Sequence, residues 1–204
     1  MTDFLFNGPD SSTYTLVLAH GAGAHMDSDF LEAMAAGLAD KGLRVARFEF
    51  PYMLKRREDG KRRPPDRAPV LIETYLQVAA ELGPENLIIG GKSMGGRVAS
   101  MVADEAGVAG LVCLGYPFHP PGKPEKLRTK HLETLQTPAL VLQGERDPFG
   151  KREEVEGYTL APSIRVEYLP DGDHDLKPRK VSGLTREDNW LAAIEAIHAF
   201  SAGL

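Results

Sequence analysis

The stretch Leu87-Ile88-Ile89-Gly90-Gly91-Lys92-Ser93-Met94-Gly95-Gly96-Arg97 narrows the folds open to this chain more than any other. An apolar run ends in two glycines, a serine follows, and two more glycines come next. Arg97-Val98-Ala99-Ser100-Met101-Val102-Ala103 then has helical character. The order reads as strand, tight turn, helix, with Ser93 at the apex. Its inner part, Gly91 to Gly95, has the G-x-S-x-G spacing of a nucleophile elbow. Side chains at the flanking positions would drive strand and helix into each other, and glycine removes the clash. Such a turn holds a serine hydroxyl clear of the backbone, at a helix N-terminus whose free N–H groups favour negative charge. A Gly-rich turn with an idle serine has the same letters. The chemistry therefore depends on whether the rest of the chain supplies a base, an acid and oxyanion donors.

Elements alternate along the chain. Strands are expected at Tyr14–Ala19, Leu43–Phe50, around Leu87, at Gly110–Leu114, Pro138–Gln143 and Ile164–Leu169. Helices are expected from about Phe30 to Lys41, Val70 to Leu82, after Ser93 to near Gly107, weakly around Arg152 to Thr159, and over Trp190 to Phe200. Thr185-Arg186-Glu187-Asp188 resembles a capping box before the last of these. A polar, Pro-containing loop is expected from about Leu54 to Pro69. The pattern predicts an α/β fold, a doubly wound, mostly parallel sheet of about six to seven strands with helices on both faces. Several strands are near-continuous apolar runs, as when both faces of a sheet are covered. The 204 residues fit one domain spanning 1–204.

In such a sheet the active site lies beyond the carboxyl ends of the strands. There the sequence places His20-Gly21, Lys92-Ser93, Tyr116-Pro117, Glu145-Arg146-Asp147 and Asp173-His174. Ser93 is a weak nucleophile unless a histidine takes its proton, and the histidine needs a carboxylate to fix its tautomer. His174 is the candidate base and Asp147 the candidate acid, in the chain order Ser, Asp, His. Asp171, Asp173 and Asp175 crowd His174 and stay open as alternative acids. The oxyanion donors expected are the N–H groups of Met94 and Ala22. His20 reads as a structural residue of the Gly-rich loop.

Leu18-Ala19-His20-Gly21-Ala22-Gly23, the elbow, and Gly172-Asp173-His174-Asp175-Leu176 resemble the α/β-hydrolase superfamily over nearly the whole chain. The similarity is greatest to its small, lidless, dienelactone-hydrolase-like branch. That branch includes predicted bacterial hydrolases that share a domain with an animal testis-expressed protein and a chromatin-complex subunit. The resemblance implies the fold and general hydrolase chemistry. Dienelactone hydrolases proper carry cysteine at the nucleophile. Ser93 stands there in this chain, which argues against a dienelactone substrate.

Only residues 115–137 lie where superfamily members often insert a lid, so an open site without a lid domain is expected. Tyr116, Phe118 and His119 are candidate walls of a substrate pocket, or surface packing of a Pro-rich loop. Lys92 is expected in solvent, and His25, His131 and His198 at the surface. No histidine spacing reads as a metal site, and no cofactor is expected. A net charge of -5 gives no reason to expect nucleic-acid binding. The segment Lys55 to Arg67 holds seven basic residues against three acidic ones. It reads as a solvated loop, or as one that steers an anionic substrate. Cys113 is the sole cysteine, which excludes an intrachain disulfide and suits a reducing, cytoplasmic setting. No signal peptide and no membrane span are expected. The expected function is a serine hydrolase acting on a small acyl substrate. The alternative is a binding module on the same fold.

Overall fold

The computed structural model describes residues 2–204. Its strands are β1 (Leu5–Asn7), β2 (Thr15–Ala19), β3 (Arg44–Phe48), β4 (Leu87–Lys92), β5 (Gly110–Leu114), β6 (Ala139–Gly144) and β7 (Ile164–Leu169). They form one seven-stranded sheet in the order β1-β3-β2-β4-β5-β6-β7. Every pairing is parallel except that of β1, which runs antiparallel to β3. The helices are α1 (Asp29–Asp40), α2 (Pro51–Asp59), α3 (Ala68–Leu82), α4 (Met94–Ala106), α5 (Arg152–Val155) and α6 (Arg186–Ala202).

The pleat divides the apolar strand residues between two cores. Val17, Ile89, Leu111, Cys113 and Val141 point to the face covered by α3 and α4. Leu16, Leu18, Ile88, Val112, Leu114 and Leu140 point to the face covered by α1 and α6. Successive residues of a strand face opposite ways, so continuous apolar runs are what a sheet covered on both sides requires.

Two elements depart from the sequence reading. β1 was not foreseen, because three edge residues are too few to show a pattern. The expected loop from Leu54 begins inside α2. Pro51 occupies the first turn of α2, Tyr52 and Met53 are buried, and Gly60 ends the helix with φ 69°. Only the stretch from Gly60 to Arg67 is irregular. Between β5 and β6 the described residues hold a single 3₁₀ turn (Lys130–Glu133) and no lid helix. At the other end of the chain, Thr185 caps α6 with a reciprocal bond to Asp188, as its spacing suggested.

Candidate active site

Ser93 joins β4 to α4 with φ 53° and ψ −114°, a conformation that is costly for a residue with a side chain. Its neighbours explain how the turn is enforced. A Cβ on Gly91 or Gly95 would collide with the carbonyl oxygen of Ala19 on adjacent β2. One on Gly96 would come within 2.6 Å of the Gly91 carbonyl. The Ser93 N–H donates to the Leu114 carbonyl at 2.9 Å, pinning the turn to β5. Below it, the Gly90 N–H donates to the buried Tyr75 hydroxyl of α3 at 3.0 Å.

His174 lies in the loop after β7 and Asp147 in the loop after β6. His174 Nε2 is 2.8 Å from Ser93 Oγ, and His174 Nδ1 is 2.8 Å from Asp147 Oδ2. Asp147 is fully buried. Its Oδ1 accepts from the Phe149 N–H at 2.8 Å, and its Oδ2 also accepts from Gln143 Nε2 at 3.0 Å. Phe149 lies against the imidazole, with ring centroids 4.3 Å apart. The alternative acids turn elsewhere. Asp173 accepts the N–H groups of Asp175 and Lys177, Asp175 pairs with Lys92, and Asp171 binds Arg179 and Arg146. Arg179 beside Asp171 holds that carboxyl down at about 2. These contacts fix the shape of the histidine loop, and none of them reaches the imidazole.

The loop after β2 closes the site from the other side. His20 is buried. Its Nε2 accepts from the Phe50 N–H at 3.1 Å, so Nδ1 carries the hydrogen and donates to the Gly21 carbonyl at 2.7 Å. Burial lowers its pKa, which favours the neutral ring this pattern needs. The Tyr52 hydroxyl donates to the Ala22 carbonyl at 3.1 Å. Arg57 bridges the buried Glu49 and Asp27 of this loop, and Glu49 accepts the Met26 N–H at 3.1 Å. Thus α2 braces the loop from outside. The N–H groups of Ala22 and Met94 have no acceptor among the described residues. A pocket of about 250 Å³ over Ser93 is lined by Gly21 to Ala24, Lys92, His174 and Asp175.

Several expectations are corrected. Tyr116, Phe118 and His119 do not line this pocket. All three are buried, Tyr116 bonding the Arg128 carbonyl and Phe118 packing against Tyr158. The turn at Gly115 and the bond from the Tyr116 N–H to Gln143 Oε1 fold the segment inward. Lys92 is buried rather than solvated, with Nζ 3.2 Å from Asp175 Oδ1. His131 is half-buried, with Nε2 2.8 Å from Ser100 Oγ; His25 and His198 are also half-buried. In the basic segment, Arg57 and Arg63 are already paired with acids. His25, Asp27 and Glu49 bring their ligand atoms within 4.8 Å of one another, but the Arg57 guanidinium already serves both carboxylates. Gln143 and Phe149, which hold Asp147 and pack on His174, were missed. Gln143 in the strand sequence before Asp147 was the one polar signal available. No helix among the described residues is long and apolar enough to cross a membrane.

A family model described as an alpha/beta hydrolase domain matches residues 12–202. Among solved structures, an α/β serine hydrolase without a lid from Xanthomonas campestris has a TM-score of 0.72 at 19% identity, covering 97% of this chain and 88% of that one. An alpha-beta serine hydrolase homologue from Coxiella burnetii has a TM-score of 0.70 at 16% identity, covering 98% and 90%. A dienelactone hydrolase from Anabaena variabilis has a TM-score of 0.70 at 20% identity, covering 94% and 88%. At these identities the likeness is one of fold.

Proposed function

The chain belongs to the alpha/beta hydrolase family, and we propose that it is a serine hydrolase that cleaves an ester or related acyl bond of a small substrate through an acyl-enzyme at Ser93. The observation that carries this reading is the continuous relay from Ser93 Oγ through His174 to the buried Asp147, each link 2.8 Å long. His174 Nε2 takes the Ser93 proton as Oγ attacks the carbonyl carbon. Asp147 accepts a hydrogen bond from Nδ1–H and stabilises the imidazolium that forms. The carbonyl oxygen becomes an oxyanion, received by the N–H groups of Ala22 and Met94. The imidazolium then gives its proton to the leaving oxygen as the carbonyl re-forms. Water deprotonated by the same nitrogen cleaves the acyl-enzyme and restores Ser93. The lone buried cysteine suits a reducing compartment and supports a cytoplasmic setting.

The test is labelling with a fluorophosphonate probe, followed by mapping of the adduct and assay of short esters. The adduct is expected on Ser93. Ser93→Ala should lose both labelling and turnover while its circular dichroism stays unchanged. Labelling at another residue, or a Ser93→Ala variant that still turns esters over at the wild-type rate, sinks the reading. A protein that neither labels nor hydrolyses would instead be a binding module on this fold.

A further inference from the structure

Beside the pocket over Ser93 lies a larger cleft of about 540 Å³. Gly21, Ala24, Lys92 and Asp175 line both, so the two spaces share a wall. The shared lining sets the cleft next to Ser93. The volume falls within the range of small-molecule sites.

Its chemistry is uneven. One side is aromatic: Phe30 and Trp190 meet edge to face with centroids 5.3 Å apart. The indole N–H of Trp190 already donates to the Asp175 carbonyl at 3.0 Å, so that ring offers a ligand no hydrogen-bond donor. The other side is cationic. Lys92 is buried, with Nζ 5.6 Å from the centre of the Phe30 ring. Its sole ion-pair partner among the described residues, Asp175, has a side chain 69% exposed. Burial pulls the Lys92 ammonium below its ordinary pKa, and Asp175 opposes this. An ammonium held at depth by a carboxylate that water can reclaim is poorly compensated. Lys177 and Arg186 add two cations at the wall, against Asp29 and Asp175. Lys177 has no acidic partner among the described residues, and Arg186 pairs with Glu187 while lying over Trp190.

We propose that this cleft is a subsite for an aromatic ring bearing a carboxylate, the ring packing on Phe30 and Trp190 and the carboxylate meeting Lys92, with Lys177 at the rim. The proposal rests on the hydrolase reading for its direction: the ring and carboxylate belong to one arm of the ester cleaved at Ser93. An aliphatic acid leaves the aromatic wall uncovered. A neutral ring leaves the buried ammonium as it was. A ring with an anion satisfies both walls, and Asp175 turns to water.

Trp190 is the one tryptophan in the chain, so its fluorescence reports the cleft directly. Wild-type protein is titrated at constant ionic strength with phenylacetate, phenylacetamide and acetate, none of which is hydrolysed as an ester. Phenylacetate should quench saturably and bind at least about tenfold more tightly than phenylacetamide, with acetate silent. Lys92→Met should erase the preference for acid over amide. Lys177→Gln, a change on an exposed side chain, should weaken phenylacetate by roughly two- to threefold and leave phenylacetamide unaffected. If Lys92→Met does not fold, Lys177→Gln carries the test. Equal affinity for acid and amide, absence of quenching, or an acid preference unmoved by the folded variants overturns the subsite. The two readings fail separately. Ser93 labelling without ring-acid selectivity removes the subsite alone. Selective phenylacetate binding without labelling removes the hydrolase reading.

Discussion

Replacing Asp147 by asparagine tests the relay at its most buried member. The two oxygens of Asp147 accept from three donors: His174 Nδ1, Gln143 Nε2 and the Phe149 N–H. Gln143 cannot turn to help, because its Oε1 accepts from the Tyr116 N–H at 2.8 Å and its Nε2 also donates to the Gly150 carbonyl at 3.1 Å. An asparagine meets these three donors with one oxygen. If its NH₂ faces His174, it opposes the Gln143 amide and forces the hydrogen onto Nε2, which can then no longer accept the Ser93 proton. If its NH₂ faces Phe149, the useful tautomer survives, but a buried backbone N–H is orphaned and the imidazolium lacks its carboxylate.

Each orientation strands one buried donor, at a cost of about 1–3 kcal/mol. Complete mis-tautomerisation in a triad costs about 10⁴-fold in kcat, equivalent to about 5.5 kcal/mol of barrier. Because the two orientations carry similar penalties, both are populated, and the loss should fall between about 10² and 10⁴. The assay is kcat on a saturating short ester, with urea unfolding of the same variant. The reasoning is refuted if Asp147→Asn loses less than about tenfold in kcat while its unfolding midpoint stays at the wild-type value. A larger loss in Asp173→Asn or Asp175→Asn would also refute it.

The strain at Ser93 should be measurable apart from activity: Ser93→Gly relieves the φ of 53° and should be more stable than Ser93→Ala by about 1 kcal/mol or more in urea. Equal midpoints would show that the turn stores nothing. Stability should also fall as pH drops from about 6.5 toward 5. Burial depresses the pKa of His20, and burial with Arg97 nearby depresses that of His131. Below their ordinary value of 6.5 the unfolded chain binds more protons, so this stability is present above that pH and is lost on acidification toward the folded values. His131→Gln should flatten the change in urea midpoint between pH 7.5 and 5.5, and an equally steep slope in the variant would count against the assignment.

The parallel sheet and the residues at its strand ends were legible because each left a local mark. The apolar runs of β4, β5 and β6, the glycines around Ser93, and the Asp and His after successive strands are all written in contiguous letters. What stayed hidden depends on contacts distant in sequence. Their place after a strand end, among prolines, made Tyr116 and Phe118 read as pocket walls or surface packing, yet a glutamine 27 residues away from Tyr116 draws that segment inward. Lys92 carries a charge, and nothing near it in the chain announces that Asp175 and Phe30 will enclose it. The strongly charged letters of α2 masked a helix that Tyr52 and Met53 anchor and that Arg57 ties to Glu49 and Asp27. Phe30 and Trp190 sit 160 positions apart, and each reads alone as the buried face of its own helix.

The order of the strands also sets when the relay comes apart. Ser93 follows β4, the middle strand of seven, whereas His174 is carried by the loop after β7, which has a neighbour on one side only. Most residues of β7 keep partial contact with solvent, and those of β4 have almost none. Edge strands open at lower free energy than central ones. Amide protons of β7 should therefore exchange with deuterium well before those of β4. In mild denaturant, catalysis should cease while the centre of the sheet stays protected, because a frayed edge takes the histidine away from a serine that has not moved.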